Sequence, residues 1–220
     1  MPDSYHEILQ EIKDQGAKLV AVSKTKPVEA ILKVYKQGQR DFGENKVQEL
    51  CEKQAQLPDD IRWHLIGHLQ TNKVKYIVPF VHLIHSVDSL KLMHELEKEA
   101  AKCERTLDVL LQMHIAKEES KFGLDEKELV EILEYYTASP SPWKHIRIRG
   151  LMGMATNTED MALRQNEFGK LHELFNFARQ GYLPQRNDFT ELSMGMSDDY
   201  PIALSEGSTL VRIGSLLFGQ

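Results

Sequence analysis

A lysine follows the first apolar run of the sequence. The run extends from Leu19 to Val22, Lys24 comes two residues later, and Pro27 follows. A short apolar run bounded by a breaker predicts a buried strand, here over Leu19–Thr25, and a proline suits the first turn of the next helix. Alternation places Lys24 on the same face as Val22, where a low dielectric favours the neutral amine that forms imines with aldehydes. The alternative is a solvated lysine beyond the end of the strand.

Small residues that suit a phosphate group occur near the other end of the chain. Gly214 and Ser215 follow an apolar run and leave their backbone N–H groups unhindered. Ser193 and Gly195 belong to a second segment rich in hydroxyl groups and glycine, Ser193–Ser197. We predict that both segments contact one phosphate. The alternative for each glycine is a role in a tight turn alone.

Arg212 lies inside the last apolar run, two residues before Gly214. A buried arginine requires a partner, which is either a carboxylate or an acceptor on a ligand, such as a ring nitrogen. Because the guanidinium is always charged, it would keep such a nitrogen unprotonated. An amine at Lys24, a phosphate site and this arginine together describe pyridoxal phosphate that is anchored to the protein through an imine.

These residues must be positioned by a regular set of strands and helices. Eight apolar runs, separated by segments of helical periodicity, are predicted as strands: Leu19–Thr25, Asp41–Asn45, Arg62–Gly67, His82–Val87, Leu107–Ile115, Ile146–Met154, Thr190–Met196 and Leu210–Phe218. Apolar strands that alternate with helices predict an α/β fold with a parallel sheet covered on its outside. Eight such units favour a closed (β/α)8 TIM barrel of one domain, residues 1–220; an open doubly wound sheet is the alternative. In a barrel, chemistry gathers at the carboxyl ends of the strands, which brings Lys24, Asn45 and Gly214 to one rim.

Composition argues against several classes of function. The 220 residues are 41% hydrophobic and 27% charged, with a net charge of -6, which disfavours a general nucleic-acid binder. Cys51 and Cys103 form no metal or redox motif, and His64 and His68 lie in a predicted strand and turn, where their spacing predicts no metal pair. The sequence has no leader at Met1 and no apolar run approaching the ~18 residues that span a bilayer. We expect a cytoplasmic monomer without a membrane partner.

Segments spread over nearly the whole chain resemble those of the pyridoxal phosphate homeostasis proteins. They are Ala21–Pro27, Phe42–Asn45, Trp63–Gln70 with Asn72 and Lys73, Ile84–Asp88, Lys121–Leu124, Arg149–Met154, Leu192–Ser197 and Val211–Ser215. Several such motifs together are highly specific, and they identify the chain as a member of that family. The resemblance implies a barrel of the alanine racemase N-terminal-domain type.

The resemblance also implies roles for individual residues. Lys24 would form the Schiff base with the cofactor, and Arg212 would be the partner of the pyridine nitrogen. The remaining residues implied to bind the cofactor are Asn45, near the ring, and Ser193, Gly214 and Ser215, at the phosphate.

The roles of three further residues are left open by the sequence. Two of them depart from the family's pattern, and two have alternative interpretations. Lys46 stands where a tyrosine is common in the family, and His114 where an asparagine is common, so their contacts with the ring are in question. His114 is either a base near the ring or a hydrogen-bonded barrel histidine. Lys26 is either a residue that receives or releases the cofactor or a solvated lysine.

The resemblance implies a carrier that binds pyridoxal phosphate, takes part in its intracellular homeostasis and passes it to apo-enzymes. The alternative is a pyridoxal-phosphate-dependent amino-acid racemase of fold type III. Racemisation needs acid–base groups on both faces of the cofactor adduct, and in the related racemases the second is a tyrosine from another domain. Here Gly219 and Gln220 end the chain, so we expect no such domain and assign no catalytic residue. A Schiff-base aldolase that uses Lys24 on a sugar phosphate is a third hypothesis, but it gives Arg212 no task.

Overall fold

The strands form a closed parallel barrel. The computed structural model describes residues 5–118, 122–138 and 142–219. Its strands are β1 Lys18–Val22, β2 Asp41–Glu44, β3 Arg62–Leu65, β4 Leu83–Val87, β5 Leu107–Gln112, β6 Ile146–Met152, β7 Glu191–Ser193 and β8 Leu210–Ile213. They pair in chain order, and β1 pairs with β8 to close the barrel. The predicted (β/α)8 barrel is confirmed, and the doubly wound alternative is wrong. Lys121, from one of the family motifs, lies outside the described residues.

Helices follow the strands on the outside of the barrel. They are α1 Tyr5–Asp14, α2 Val28–Lys36, α3 Val47–Gln54, α4 Val74–Ile77 after a 3₁₀ turn at Thr71–Lys73, α5 Leu90–Lys102, α6 Glu126–Thr137, α7 Met161–Gly181, α8 Tyr200–Ser205 and α9 Ser215–Phe218. Side-chain caps begin the longest of them, with Ser89 on α5, Asp125 on α6 and Asp160 on α7. None of the helices in the described ranges is long and apolar enough to cross a membrane.

Several strands end earlier than the apolar pattern predicts. The first strand ends at Val22 and not at Thr25, because Lys24 and Thr25 form a turn. The last strand ends at Ile213, and the apolar residues after Gly214 form the short helix α9. A short apolar run cannot by periodicity alone be assigned to strand or helix, which explains the error. The chain therefore turns out of the barrel close to the predicted site.

The two faces of the strands pack into separate apolar clusters. On β1, Leu19 and Ala21 belong to the large cluster between the sheet and the surrounding helices. Val20, on the opposite face, belongs to a small cluster with Leu83 and Leu210. Because successive strand residues point to opposite faces, this second cluster is the filling of the barrel. The interior also holds buried polar side chains, among them those of His85, Ser193 and Arg212.

Charged residues pair around the amino-terminal mouth of the barrel. Arg62, the first residue of β3, contacts Asp41, the first residue of β2, at 2.5 Å. Lys18 contacts Glu191 at 3.1 Å, so that the first residues of β1 and β7 are paired as well. This mouth is therefore an ion-paired surface, and the cavity lies at the opposite, carboxyl-terminal mouth.

Gly150 marks a bulge between β5 and β6. Ile148 pairs with Val109 and Gly150 with Leu110, so Arg149 is an extra residue in β6. A Cβ atom on Gly150 would overlap the carbonyl oxygen of Glu191 and lie 2.6 Å from its carbonyl carbon. The neighbouring strand therefore leaves no space for a side chain at this position.

We expect Gly150→Ala to destabilise the protein by about 3 kcal/mol or more, because overpacking typically costs ~1–3 kcal/mol and here the obstacle is backbone. Denaturant unfolding monitored by circular dichroism measures the change. Gly181→Ala is the matched control, since a Cβ there meets no atom within 4 Å. Equal stability of the two variants would show that β6 and β7 can separate without penalty.

Candidate functional site

A cavity of about 470 Å³ opens at the carboxyl-terminal mouth of the barrel. This volume is in the range of small-molecule sites, roughly 300–1,000 Å³. Five of the predicted site residues line it: Lys24, Asn45, Arg212, Gly214 and Ser215. The structure thus brings together residues from the first, second and last strand–helix connections, as the barrel rule predicts.

Lys24 lies on an exposed turn and not on a buried strand face. The expectation of a buried lysine on the strand is wrong, because β1 ends at Val22, although Val22 and Lys24 line the same cavity. Among the described residues, the Lys24 amine has no hydrogen-bond or ion-pair partner and faces the cavity. Thr25, the next residue, has a φ of 62°. This backbone conformation is rare for a β-branched residue, and such strain is concentrated at functional sites.

A buried hydrogen-bonded network fixes this turn. The Lys53 amine donates to the Ser23 carbonyl at 2.7 Å, to Glu44 Oε1 at 2.8 Å and to Glu49 Oε1 at 2.7 Å. Ser23 Oγ also donates to Glu44 Oε1, at 2.5 Å, and the Thr25 N–H donates to Glu49 at 2.6 Å. The Lys53 ammonium group thereby fixes the residues before and after Lys24, Ser23 directly and Thr25 through Glu49.

Arg212 forms the floor of the cavity. It is 4% exposed, and burial lowers the pKa of its guanidinium to about 10, so the group is charged at neutral pH. Its Nη1 donates to Ser193 Oγ at 2.6 Å and its Nη2 to the Gly153 carbonyl at 3.0 Å. Within the described part of the chain, no carboxylate contacts it directly. Among those residues, the predicted alternative of a direct carboxylate partner for Arg212 is therefore not found.

The four residues predicted to contact phosphate do not all reach the cavity. Gly214 and Ser215 line it, and the Gly214 N–H donates to Ser197 Oγ at 3.3 Å. Ser193 is fully buried below the cavity. Gly195, with a φ of 92°, packs against α8, where a Cβ would lie 2.6 Å from that of Ala203. The phosphate contacts of all four stay predictions.

Phe122 and Gln112, which the sequence analysis did not assign to the site, line the cavity together with His68. Phe122 is 56% exposed and stacks on the His68 ring at a centroid distance of 4.0 Å. Gln112, at the end of β5, donates to the Phe122 carbonyl at 2.8 Å. The available signal was Gln112 itself, a polar residue directly after the apolar residues Val109, Leu110 and Leu111 of the predicted strand. These residues give the cavity an aromatic side above the polar floor.

His114 and Lys26, for which the sequence leaves two interpretations each, do not line the cavity. The Nε2 of His114 contacts the Glu118 carbonyl at 2.9 Å, which fits a hydrogen-bonded histidine better than a base at the ring. The Lys26 amine donates to the Gly219 carbonyl at 2.7 Å. It therefore holds the end of the described chain against the turn that carries Lys24.

Groups of metal-ligating type occur at the other mouth. Asp41, His64 and His82 offer ligand atoms that lie within 4.8 Å of one another. Arg62 donates to both oxygens of Asp41, at 2.7 and 2.5 Å. Burial opposes ionisation, but the hydrogen bonds from Arg62 and His64 hold the pKa of the Asp41 carboxyl well below its usual range. We assign Asp41 to these two partners and not to a metal ion.

The fold and a family model place the protein in the alanine racemase N-terminal-domain class. The family model described as alanine racemase, N-terminal domain, matches residues 4–220. An alanine racemase from Bartonella henselae shares the fold, with a TM-score of 0.73 at 19% identity, covering 98% of this chain and 57% of that one.

Relatives of higher sequence identity show to which family within this class the chain belongs. The pyridoxal phosphate homeostasis protein of Aquifex aeolicus is 42% identical over 208 residues, which are 93% of this chain and 87% of that protein. The structure of PipY from Synechococcus elongatus PCC7942 with PLP bound has a TM-score of 0.85 at 39% identity, covering 97% of this chain and 99% of PipY. The chain belongs to the pyridoxal phosphate homeostasis protein family, and the resemblance in its sequence motifs is confirmed.

Proposed function

We propose that this protein binds pyridoxal 5'-phosphate covalently through Lys24 and acts in the intracellular homeostasis of that cofactor. The observation that carries the proposal is one cavity lined both by Lys24, whose amine has no partner among the described residues, and by the buried cation Arg212. The PLP-bound structure of the similar protein PipY supports the identity of the ligand. The names of the curated relatives support the role in homeostasis.

The chemistry of the residues present fits this cofactor. When bound, the cofactor supplies an aldehyde, which forms a C=N bond with an amine and loses its oxygen as water, and an electron-accepting pyridine ring. Lys24 supplies that amine on a turn held by buried hydrogen bonds. Arg212 would face the ring nitrogen with the donor capacity that Ser193 and Gly153 leave free, and its charge would keep that nitrogen unprotonated.

The phosphate end of the cofactor would lie at the start of α9. Gly214 and Ser215 line the cavity there with backbone N–H groups and one hydroxyl group. A Cβ on Gly214 would lie 3.2 Å from the Val22 carbonyl oxygen, so the absence of a side chain lets this loop approach β1. Asn45 lines the same cavity, and we propose that it contacts the ring.

We propose a carrier and not an amino-acid racemase. A racemase needs a second acid–base group opposite the lysine. His114, the histidine considered for that role, is hydrogen-bonded to a backbone carbonyl outside the cavity lining. The chain covers 99% of PipY and 57% of the Bartonella racemase, which supports likeness to PipY along the whole chain.

The proposal extends to the cellular setting. Cys51 and Cys103 are both free thiols, which suits the reducing cytoplasm. A closed barrel offers no sheet edge for pairing with a second copy, which supports a monomer built as a single domain. We propose that apo-enzymes which require the cofactor are the recipients.

Reductive trapping tests the proposal. The protein is incubated with pyridoxal phosphate, treated with borohydride, freed of unbound cofactor and digested for mass spectrometry. We expect one modified peptide, with the adduct on Lys24. Unmodified, colourless protein would refute cofactor binding. Deuterium incorporation at the α-carbon of added amino acids, with interconversion of D and L forms, would instead refute the carrier and establish the racemase.

A further inference from the structure

A chain of hydrogen-bonded side chains runs through the barrel from the cavity floor to the opposite mouth. Arg212 Nη1 and Ser193 Oγ are 2.6 Å apart, and Ser193 Oγ and His85 Nδ1 are 2.9 Å apart. His85 Nε2 lies 2.9 Å from His64 Nδ1, and His64 Nε2 lies 3.1 Å from Asp41 Oδ1. These five side chains, which we call the barrel relay, come from β8, β7, β4, β3 and β2 in that order.

The three middle members of the relay are almost completely removed from water, whereas Asp41 at its end is partly exposed. Ser193 and His85 have no exposed surface, and His64 is 2% exposed. Burial and the neighbouring His64, Arg212 and His82 hold the pKa of His85 well below its usual range, so its ring is neutral at physiological pH. Buried polar groups require hydrogen-bond partners, and each relay member is the partner of the next.

The hydrogen positions follow from the acceptor at the end of the chain. The Asp41 carboxylate only accepts, so His64 Nε2 must donate to it. The arrangement that we infer has a proton on Nε2 alone in each ring, so that His64 Nδ1 accepts, His85 Nε2 donates and His85 Nδ1 accepts. The Ser193 hydroxyl therefore donates to His85 and accepts from Arg212. Every bond points the same way, from the guanidinium to the carboxylate.

The relay also bears on the charge of the buried arginine. No described carboxylate touches Arg212, but the charge of the buried Asp199 raises the pKa of its guanidinium, against the lowering effect of burial. The aligned dipoles of Ser193 and the two imidazoles connect Arg212 in addition to the ionised Asp41, and hydrogen-bonded chains polarise one another.

We propose that His64, His85 and Ser193 are positioning residues that fix the Arg212 guanidinium at the cavity floor, with Asp41 as the acceptor that ends the chain of hydrogen bonds. This assigns Ser193 a role below the cavity, beside the predicted contact with phosphate. The effect on the cofactor rests on the proposed function, since Arg212 would face the ring nitrogen. The relay itself consists only of protein side chains, so it is testable in protein freed of cofactor.

The first test is NMR of isotope-labelled histidine side chains in cofactor-free protein. The expected result is a single neutral tautomer for both His64 and His85, with the proton on Nε2. A proton on Nδ1 of either ring, or a mixture of tautomers, would overturn the relay whatever the protein binds.

A substitution at the far mouth makes this test sharper. Asp41→Asn replaces the obligatory acceptor by an amide that also donates, so both histidines are expected to lose the single tautomer. Arg62→Gln is the matched control: it removes the ion pair with Asp41 but leaves the acceptor for His64 in place. An unchanged spectrum in Asp41→Asn would show that the carboxylate does not direct the relay.

The second test measures the link to the cavity. In Ser193→Ala, the dissociation constant for pyridoxal phosphate is expected to rise about 10-fold or more, because hydrogen bonds to charged groups contribute ~1.5–3 kcal/mol. Ser208→Ala, which removes a buried hydroxyl bonded to the Met194 carbonyl at 2.7 Å, is the control and should bind as wild type does. Equal affinity of both variants would refute positioning by Ser193, whereas failure of the wild-type protein to bind would refute the proposed function alone.

Discussion

Lys53→Met is expected to destabilise the protein by about 3–5 kcal/mol, because it leaves a buried carboxylate without its cation. The Glu44 side chain is fully buried, and that of Lys53 is 7% exposed. Burial already raises the pKa of the Glu44 carboxyl, against the lowering effect of the hydrogen bond from Lys53. Denaturant unfolding at neutral pH measures the loss.

The pH dependence of this variant has a defined sign. Without Lys53, the pKa of Glu44 in the folded state rises further above its value in the unfolded chain, so between these two pKa values the folded protein binds a proton that the unfolded chain releases. The stability of the variant should therefore increase as the pH falls through the folded pKa of Glu44 toward the unfolded value. Lys98→Met, at an exposed pair with Glu95 on α5, is the control and should change little. A Lys53→Met variant as stable as this control would mean that Glu44 is solvated.

The same variant should loosen the site. Lys53 holds the Ser23 carbonyl and the carboxylate that accepts from the Thr25 N–H. Without these bonds, the strained backbone of Thr25 can relax and Lys24 is no longer directed into the cavity. The buried network thus connects the stability of α3 to the position of the reactive amine.

The sequence predicts the barrel because the same pattern, an apolar strand followed by a helix, is repeated along the chain. Eight apolar runs and the helices between them each support the same architecture, so an error in one strand end leaves the topology unchanged. Lys24, Asn45, Gly214 and Ser215 follow β1, β2 and β8, and the barrel rule alone gathers them. These parts of the site depend on chain order and strand direction.

Other parts depend on contacts that sequence spacing does not encode. Lys53 follows Glu44 by nine residues and belongs to a helix with a polar outer surface. The hydrophobic pattern of the sequence therefore does not predict that Lys53 is buried. His64 and His85 lie on adjacent strands, and their contact at 2.9 Å requires the actual register. The short apolar run after Gly214 forms a helix where periodicity favoured a strand. In each case tertiary packing decides what local sequence leaves open.

Lys24→Ala is expected to abolish the covalent adduct with pyridoxal phosphate and its visible absorbance completely. The residue is the amine that lines the cavity without a hydrogen-bond or ion-pair partner in the described part of the chain. The cavity and Arg212 remain in this variant, so we expect weakened, noncovalent binding of the cofactor. Absorbance titration and mass spectrometry after borohydride treatment measure the two effects separately.

Lys26→Ala is the matched control, because the two lysines are neighbours on one turn and only their partners differ. The Lys26 amine is occupied by the Gly219 carbonyl, whereas a nucleophile needs an unshared, accessible lone pair. Full adduct formation in Lys26→Ala is therefore expected, together with release of the chain end from the turn. Adduct retained in Lys24→Ala and lost in Lys26→Ala would instead make Lys26 the anchor, and the Gly219 contact would then have to open before the cofactor binds.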